Sequence, residues 1–134
     1  FNELGIKVDM NVLRLQELSS IPSKSIDVVF TSAVLQHIQP SYIPDILKQM
    51  TRISRKFVVV YELHAFSRIE RNIHLMQIDS YPKNDARWVH DYWALISELG
   101  VQREDICVRQ VDPQICRGVV SDFNAIISFP APVS

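Results

Sequence analysis

The chain has 134 residues, of which 47% are apolar and 22% charged, and its formal net charge is -1. A domain of this length buries roughly two-thirds of its unfolded surface, so we treat residues 1–134 as one domain. The near-neutral charge balance argues against a nucleic-acid partner, which needs a basic surface. No apolar run approaches the roughly 20 residues that cross a bilayer, and no signal peptide is visible.

The chain has two cysteines, Cys107 and Cys116, which form neither a CxxC motif nor a set of metal ligands. A reduced intracellular pair is the favoured interpretation, and it leads us to expect a cytoplasmic protein. A short hairpin disulfide is the alternative.

The first half of the chain predicts a strand-helix-strand unit. "FNELG" at 1–5 resembles the end of a helix with glycine after it, so the chain is expected to begin partway through a fold. Residues 12–15 are β-rich, and the apolar run "IDVVF" predicts a strand at 27–31 that is covered on both faces. Apolar residues at helical spacing predict a helix over 43–53, and "KFVVVYE" predicts a second buried strand at 57–62.

The second half predicts a further helix and a pair of strands. Residues 64–87 are polar and are expected to be irregular, with one helical turn at most. "RWVHDYWALISELG" predicts a helix over 88–99 that stops at Gly100. The runs "ICVRQV" (106–111) and "FNAIISF" (123–129) predict an antiparallel pair at the edge of the sheet.

Small and polar residues follow the predicted strands where an α/β sheet binds its ligands. In open α/β sheets the ligand lies outside the carboxyl ends of the strands. That rule selects Gln16–Glu17, Thr31–Ala33 and Tyr61–His64. The small residues Ser32 and Ala33 would let the backbone and a ligand approach closely.

The stretch "NVLRLQELSSIPSKSIDVVFTSAVLQHIQP", followed by "ILKQMTRISRKFVVVYE", resembles the central part of class I S-adenosylmethionine-dependent methyltransferases. In that family an apolar strand that opens with Asp precedes a small-residue segment and a "VLxHI" helix start. Asp27–Phe30 and Val34–Ile38 match this pattern. The resemblance covers roughly residues 11–64 and is looser from there to the end of the chain.

The resemblance implies a Rossmann-like α/β fold with strand order 3-2-1-4-5-7-6, in which the seventh strand is antiparallel. Residues 12–15, 27–31 and 57–62 would then be strands three, four and five, and the C-terminal pair would be strands six and seven. It also implies S-adenosylmethionine as cofactor and a small-molecule acceptor. The cofactor-binding positions that it implies are Gln16, Glu17, Leu18, Thr31, Ser32, Ala33 and His37.

The chain departs from the family at the elements that cradle the cofactor. Its three glycines (Gly5, Gly100 and Gly118) form no GxGxG loop, and strands one and two of the family would lie before Phe1. We therefore expect a truncated methyltransferase domain that is inactive alone, with its open sheet edge covered by its N-terminal segment or by another chain. The rival hypothesis is a non-catalytic assembly module that works through this edge.

Several side chains have both a functional and a structural interpretation. His37 either touches the cofactor or is a polar residue at a helix start. Glu62 and His64 are weak candidates for a general base, but a glutamate that ends a strand more often caps a neighbouring helix or is solvated. No histidine pair has metal-ligand spacing, so no metal site is predicted, and a metal-dependent hydrolase is a weak third option. Trp88, Tyr92 and Trp93 are expected to pack a helix or, as the alternative, to form a wall of an acceptor pocket.

Overall fold

The computed structural model describes residues 5, 7, 12–67, 74–77, 85–112 and 123–132. Within these residues the helices are α1 (Ile43–Ile53) and α2 (Tyr92–Ser97). The strands are β1 (Ile26–Ser32), β2 (Ser54–Leu63), β3 (His74–Gln77), β4 (Asp85–Trp88), β5 (Cys107–Gln110) and β6 (Asn124–Pro130). The architecture is mixed α/β, with one open sheet of four strands and a separate two-stranded sheet.

The four-stranded sheet has the order β1-β2-β6-β5. β1 and β2 are parallel, with Phe30 opposite Val59, whereas β6 is antiparallel to both β2 and β5. The predicted strand-helix-strand unit and the antiparallel C-terminal pair are therefore confirmed. Because β2 is the one strand that pairs with β1 in the described part of the sheet, β1 is an edge strand there.

One face of the sheet carries the core. The side chains of Val58, Val60 and Ile127 are fully buried on this face, under α1 and α2. Helix α1 contributes an apolar stripe with helical spacing, and its proline, Pro44, lies in the first turn, where no N–H partner is lost. The helix from 43 to 53 is therefore confirmed.

The opposite face of the sheet carries exposed apolar side chains. The exposed residues of β1 alternate with half-buried ones, and the side chain of Phe30 is 72% exposed. Phe57 and Ile126 extend this apolar surface across β2 and β6. We call this surface, formed by Ile26, Val28, Phe30, Phe57 and Ile126, the open face.

The strand predicted at 12–15 is wrong. Leu15–Ser20 forms a 3-10 helix, and residues 12–14 precede it without regular structure. The Glu17 carboxylate accepts the backbone N–H of Arg14 at 2.6 Å and closes this turn. The Arg52 guanidinium then holds the segment against the end of α1, donating to the carbonyl oxygens of Leu18 at 3.0 Å and Ile21 at 2.8 Å.

The region expected to be irregular contains two strands, because β3 and β4 pair as an antiparallel ladder between His74–Gln77 and Asp85–Trp88. The second helix begins later than predicted. Asp91 caps it by accepting the backbone N–H of Ala94 at 3.1 Å, so residues 88–91 precede the helix. The helix also ends earlier than predicted, at Ser97. Gly100 lies in the turn that follows it and has a positive φ of +87°, which suits glycine.

Cys107 is exposed and free. The second cysteine, Cys116, lies outside the described residues, as do most residues of the predicted N-terminal helix end, so the choice between a reduced pair and a disulfide stays open. No helix in the described ranges has the length and apolar character needed to cross a membrane.

Candidate functional site

The carboxyl ends of β1 and β2 form the candidate site. Thr31 and Ser32 end β1 and lie opposite Val60 and Tyr61. Ala33 then turns the chain with a φ of +54°, in the left-handed region that side chains other than glycine rarely adopt. Its backbone N–H donates to the Tyr61 carbonyl at 2.9 Å, which keeps the turn against the end of β2.

Glu62 organises the loop that follows β1. Its side chain is buried, and its carboxylate accepts the backbone N–H of Val34 at 2.9 Å and that of Gln36 at 3.2 Å. A buried carboxylate needs such donors, because burial without them is strongly unfavourable. This contact is the capping role that the sequence offered as the alternative to catalysis, and a role as general base stays a prediction.

The neighbouring strand end holds a buried histidine pair. The backbones of His64 and His90 form a parallel bridge, and both side chains are fully buried. His64 accepts the backbone N–H of Tyr92 on Nδ1 at 3.3 Å. Its ring lies edge-on to Phe66 and to Trp93, with centroids at 4.8 Å and 5.0 Å. His64 therefore sits inside a packed aromatic cluster.

Burial shifts the pKa values of His90 and Tyr92. Burial lowers the pKa of His90, although backbone carbonyls at Leu35 and Ile38 act in the opposite direction. The Nε2 of His90 lies 3.0 Å from the Leu35 carbonyl, and because a carbonyl oxygen only accepts, Nε2 is the donor. Burial, together with the charge of Glu62, raises the pKa of Tyr92 well above 10.

Three buried polar atoms indicate a polar interior near the carboxyl ends of β1 and β2. The hydroxyls of Thr31 and Tyr92 and the Nδ1 of His90 have no hydrogen-bond partner among the described residues. Such atoms are uncommon in protein interiors and often mark functional regions. They extend the candidate site from the end of β1 towards the start of α2.

The remaining cofactor-binding candidates lie along α1. The 3-10 helix that contains Gln16, Glu17 and Leu18 rests against this helix, while exposed His37 lies before it, with its Nε2 3.3 Å from Gln36 Nε2. A hollow of about 480 Å³ lies against α1 and is lined by Ser19, Ile38, Tyr42, Asp45, Ile46, Lys48 and Gln49. Ser19 belongs to the 3-10 helix and Ile38 follows His37, but Gln16, Glu17, Leu18 and His37 themselves are not among the described residues that line the hollow.

Sequence reasoning missed His90, Asp91 and Gln36. Asp91 carried a usable signal, since aspartate three residues before a helical N–H is a common N-cap. His90 and Gln36 carried none, because their contacts to Leu35 and Glu62 join residues that are distant in sequence.

No protein-family model matches the chain, and no curated protein matches it significantly in sequence. Within the described ranges, no group of three or more His, Cys, Asp or Glu residues is arranged to hold a metal ion. The described residues therefore provide no set of metal ligands for the metal-dependent hydrolase that was the third alternative.

Proposed function

We propose that the chain is part of a class I methyltransferase that transfers a methyl group from S-adenosylmethionine to a small acceptor. The strand order is the observation that carries this proposal. The order β1-β2-β6-β5, with β6 antiparallel, matches the order 4-5-7-6 that the resemblance implies for these strands. Under this proposal, the mixed α/β sheet of the described residues is part of a Rossmann-like sheet.

The residues present fit one side of the cofactor. The small residues Ser32 and Ala33 are exposed at the end of β1, and the hollow along α1 is lined by Ser19 of the 3-10 helix and by Ile38, the residue after His37. S-adenosylmethionine supplies an activated methyl group, and its transfer is chiefly a matter of positioning. Ser32, Ala33, His37 and the segment Gln16–Leu18 would hold the cofactor.

Calorimetric titration with S-adenosylhomocysteine tests the proposal. It is performed on residues 1–134 and on the longest open reading frame that contains them. We expect binding to the longer protein and weak or no binding to residues 1–134, because the 134 residues contain no Gly-rich loop. Failure of both proteins to bind would contradict the proposal.

A site-directed variant makes this test specific. Ser32→Ile places a bulky side chain at the exposed end of β1 and is expected to weaken binding by roughly tenfold or more, since it would occupy room that the proposed cofactor needs. Ser128→Ile is the matched control, because Ser128 lies in β6 and pairs with Val59 away from this edge. Equal binding by both variants would remove Ser32 from the site.

The open face favours a second candidate function, an assembly module. An exposed apolar surface beside an unpaired edge strand is typical of an interaction site. Within the described residues, the open face and the edge of β1 are continuous through Val28 and Phe30. The occupant would be another copy of the chain or a partner protein.

Light scattering during size-exclusion chromatography tests this function. The module predicts a mass above 15.5 kDa that returns to the monomer value in Phe30→Ser. Tyr42→Ser is the control, because Tyr42 is also exposed but lies before α1. A monomer that recruits no partner, together with cofactor binding, would leave only the methyltransferase.

A further inference from the structure

A second hollow, distinct from the one along α1, lies beyond the carboxyl end of β2. Its volume is about 290 Å³, which suits a small molecule. It opens between the segment after β2 and helix α2. The side chains that the argument uses are Phe66, Ser67, Asp91, Trp93, Ser97 and Arg103.

The aromatic walls of this hollow are fixed in place. Phe66 and Trp93 both pack edge-on against the buried ring of His64. Both also pack against the main core. Because packing already fixes these two side chains, a ligand can bind their exposed surfaces with little loss of side-chain entropy.

Arg103 gives the hollow a positive side. Its guanidinium carbon lies 5.0 Å from the centre of the Trp93 ring, and the side chain is exposed. Among the described residues, no carboxylate forms an ion pair with Arg103. The Asp91 carboxylate is already bonded to the backbone N–H of Ala94.

We propose that this hollow binds a small planar carboxylic acid. The ring of the acid lies against Trp93 and Phe66, and its carboxylate pairs with the guanidinium of Arg103. Arginine suits this task, because its planar fork donates two parallel hydrogen bonds to a carboxylate. The hydroxyls of Ser67 and Ser97 provide further polar groups at the hollow. This binding requires no methyl transfer and no cofactor.

Benzoate is the probe, and no cofactor is added. Its binding is followed by the NMR chemical shift of the Trp93 indole N–H. We expect a saturable shift of that signal, and binding at least roughly tenfold weaker for neutral benzamide, which cannot form the charge-assisted pair. Absence of a saturable shift, or equal binding of the two probes, would overturn the proposal. Preferential binding of benzylamine would also overturn it, because it would show that Asp91 dominates the hollow.

Arg103→Gln is the decisive variant, and Arg109→Gln is its control. Both arginines are exposed, but Arg109 lies on β5 and does not line the hollow. Arg103→Gln is expected to weaken benzoate binding by roughly tenfold or more, with benzamide unaffected. Unchanged benzoate binding in Arg103→Gln would contradict the assignment. Trp93→Phe identifies the reporting signal by its loss.

Discussion

The carboxylate of Glu62, at the end of β2, lies 2.9 Å from the backbone nitrogen of Val34, in the turn that follows β1. A second bond, to the backbone nitrogen of Gln36 at 3.2 Å, makes Glu62 a double acceptor. One buried side chain therefore fixes the loop between β1 and α1. The geometry of the candidate site depends on this contact, whichever function the site has.

Glu62→Gln is expected to destabilise the fold by about 2 kcal/mol. The amide keeps one acceptor but turns its NH₂ towards the second backbone N–H, so a buried donor is left unsatisfied. Urea unfolding measures the change. Glu104→Gln is the control, since Glu104 is exposed and should change stability by less than about 0.5 kcal/mol. Equal stabilities of the two variants would show that the Glu62 bonds contribute nothing.

Arg52→Lys and Arg55→Lys form a matched pair. Arg52 donates to the carbonyls of Leu18 and Ile21, whereas Arg55 pairs with Asp27 on the surface at 2.6 Å. A lysine cannot reproduce the Arg52 fork, so we expect a loss of about 1–2 kcal/mol at Arg52. At Arg55 we expect less than about 0.5 kcal/mol. The two free energies of unfolding are compared directly, and a larger loss at Arg55 would contradict the argument.

The main elements were predictable because local pattern and tertiary environment agree. The helical spacing of Ile43, Leu47 and Met50 specified a helix, and the apolar run in β1 specified a strand. The prediction that this strand is covered on both faces is wrong for the described residues, because Ile26, Val28 and Phe30 are exposed. The segment Leu15–Ser20 was mispredicted because its decisive contact comes from Arg52, 34 residues from Leu18. A sequence window cannot contain that contact. The strand order was predicted only through the family resemblance.

The candidate site was predictable in position but not in its contacts. The rule for strand ends correctly placed Thr31 and Glu62 at the carboxyl ends of two adjacent parallel strands. The bond from Val34 to Glu62 spans 28 residues, and that from His90 to Leu35 spans 55. Such pairs follow from strand adjacency, so local patterns could not supply them.

Ala33→Gly is expected to stabilise the protein by about 1 kcal/mol. Ala33 has a φ of +54°, a conformation that is strained for alanine and free of strain for glycine. Ala94→Gly is the opposite control, because Ala94 lies in α2 and glycine there should cost about 1 kcal/mol. Thermal unfolding of both variants shows whether each is more or less stable than the wild type. A destabilised Ala33→Gly would show that the strain at this turn is small.

His90 predicts a loss of stability in acid. Burial lowers its pKa in the folded state, while an unfolded histidine titrates near about 6.5. The folded state therefore binds fewer protons, so this contribution to stability is present above about pH 6.5 and is lost as the pH falls towards the lowered pKa.

The variant His90→Gln isolates this effect because glutamine keeps a donor for the Leu35 carbonyl. The stability difference between wild type and His90→Gln should shrink by up to about 1.4 kcal/mol per pH unit below about pH 6.5. Urea unfolding at several pH values measures it. The same substitution at exposed His37 provides the matched comparison, and equal pH slopes for the two variants would contradict the role of His90.

Tyr92 predicts the opposite behaviour in alkali. Burial and the charge of Glu62 raise its pKa well above 10, so the folded state keeps a proton that the unfolded state loses near about pH 10. This contribution to stability is complete below about pH 10 and is lost as the pH rises towards the raised pKa. Tyr92→Phe removes the group and should flatten the alkaline slope, whereas Tyr42→Phe, at an exposed position, should not.

Near neutral pH, Tyr92→Phe should be neutral or slightly stabilising. The Tyr92 hydroxyl is buried and has no hydrogen-bond partner among the described residues, so its removal deletes a desolvated polar group without breaking a bond. Urea unfolding at neutral and at alkaline pH measures both effects in one variant. If the free energy of unfolding falls by more than about 1 kcal/mol at neutral pH, the hydroxyl makes a stabilising hydrogen bond in solution. Tyr92 would then no longer count among the unsatisfied buried atoms near the carboxyl ends of the strands.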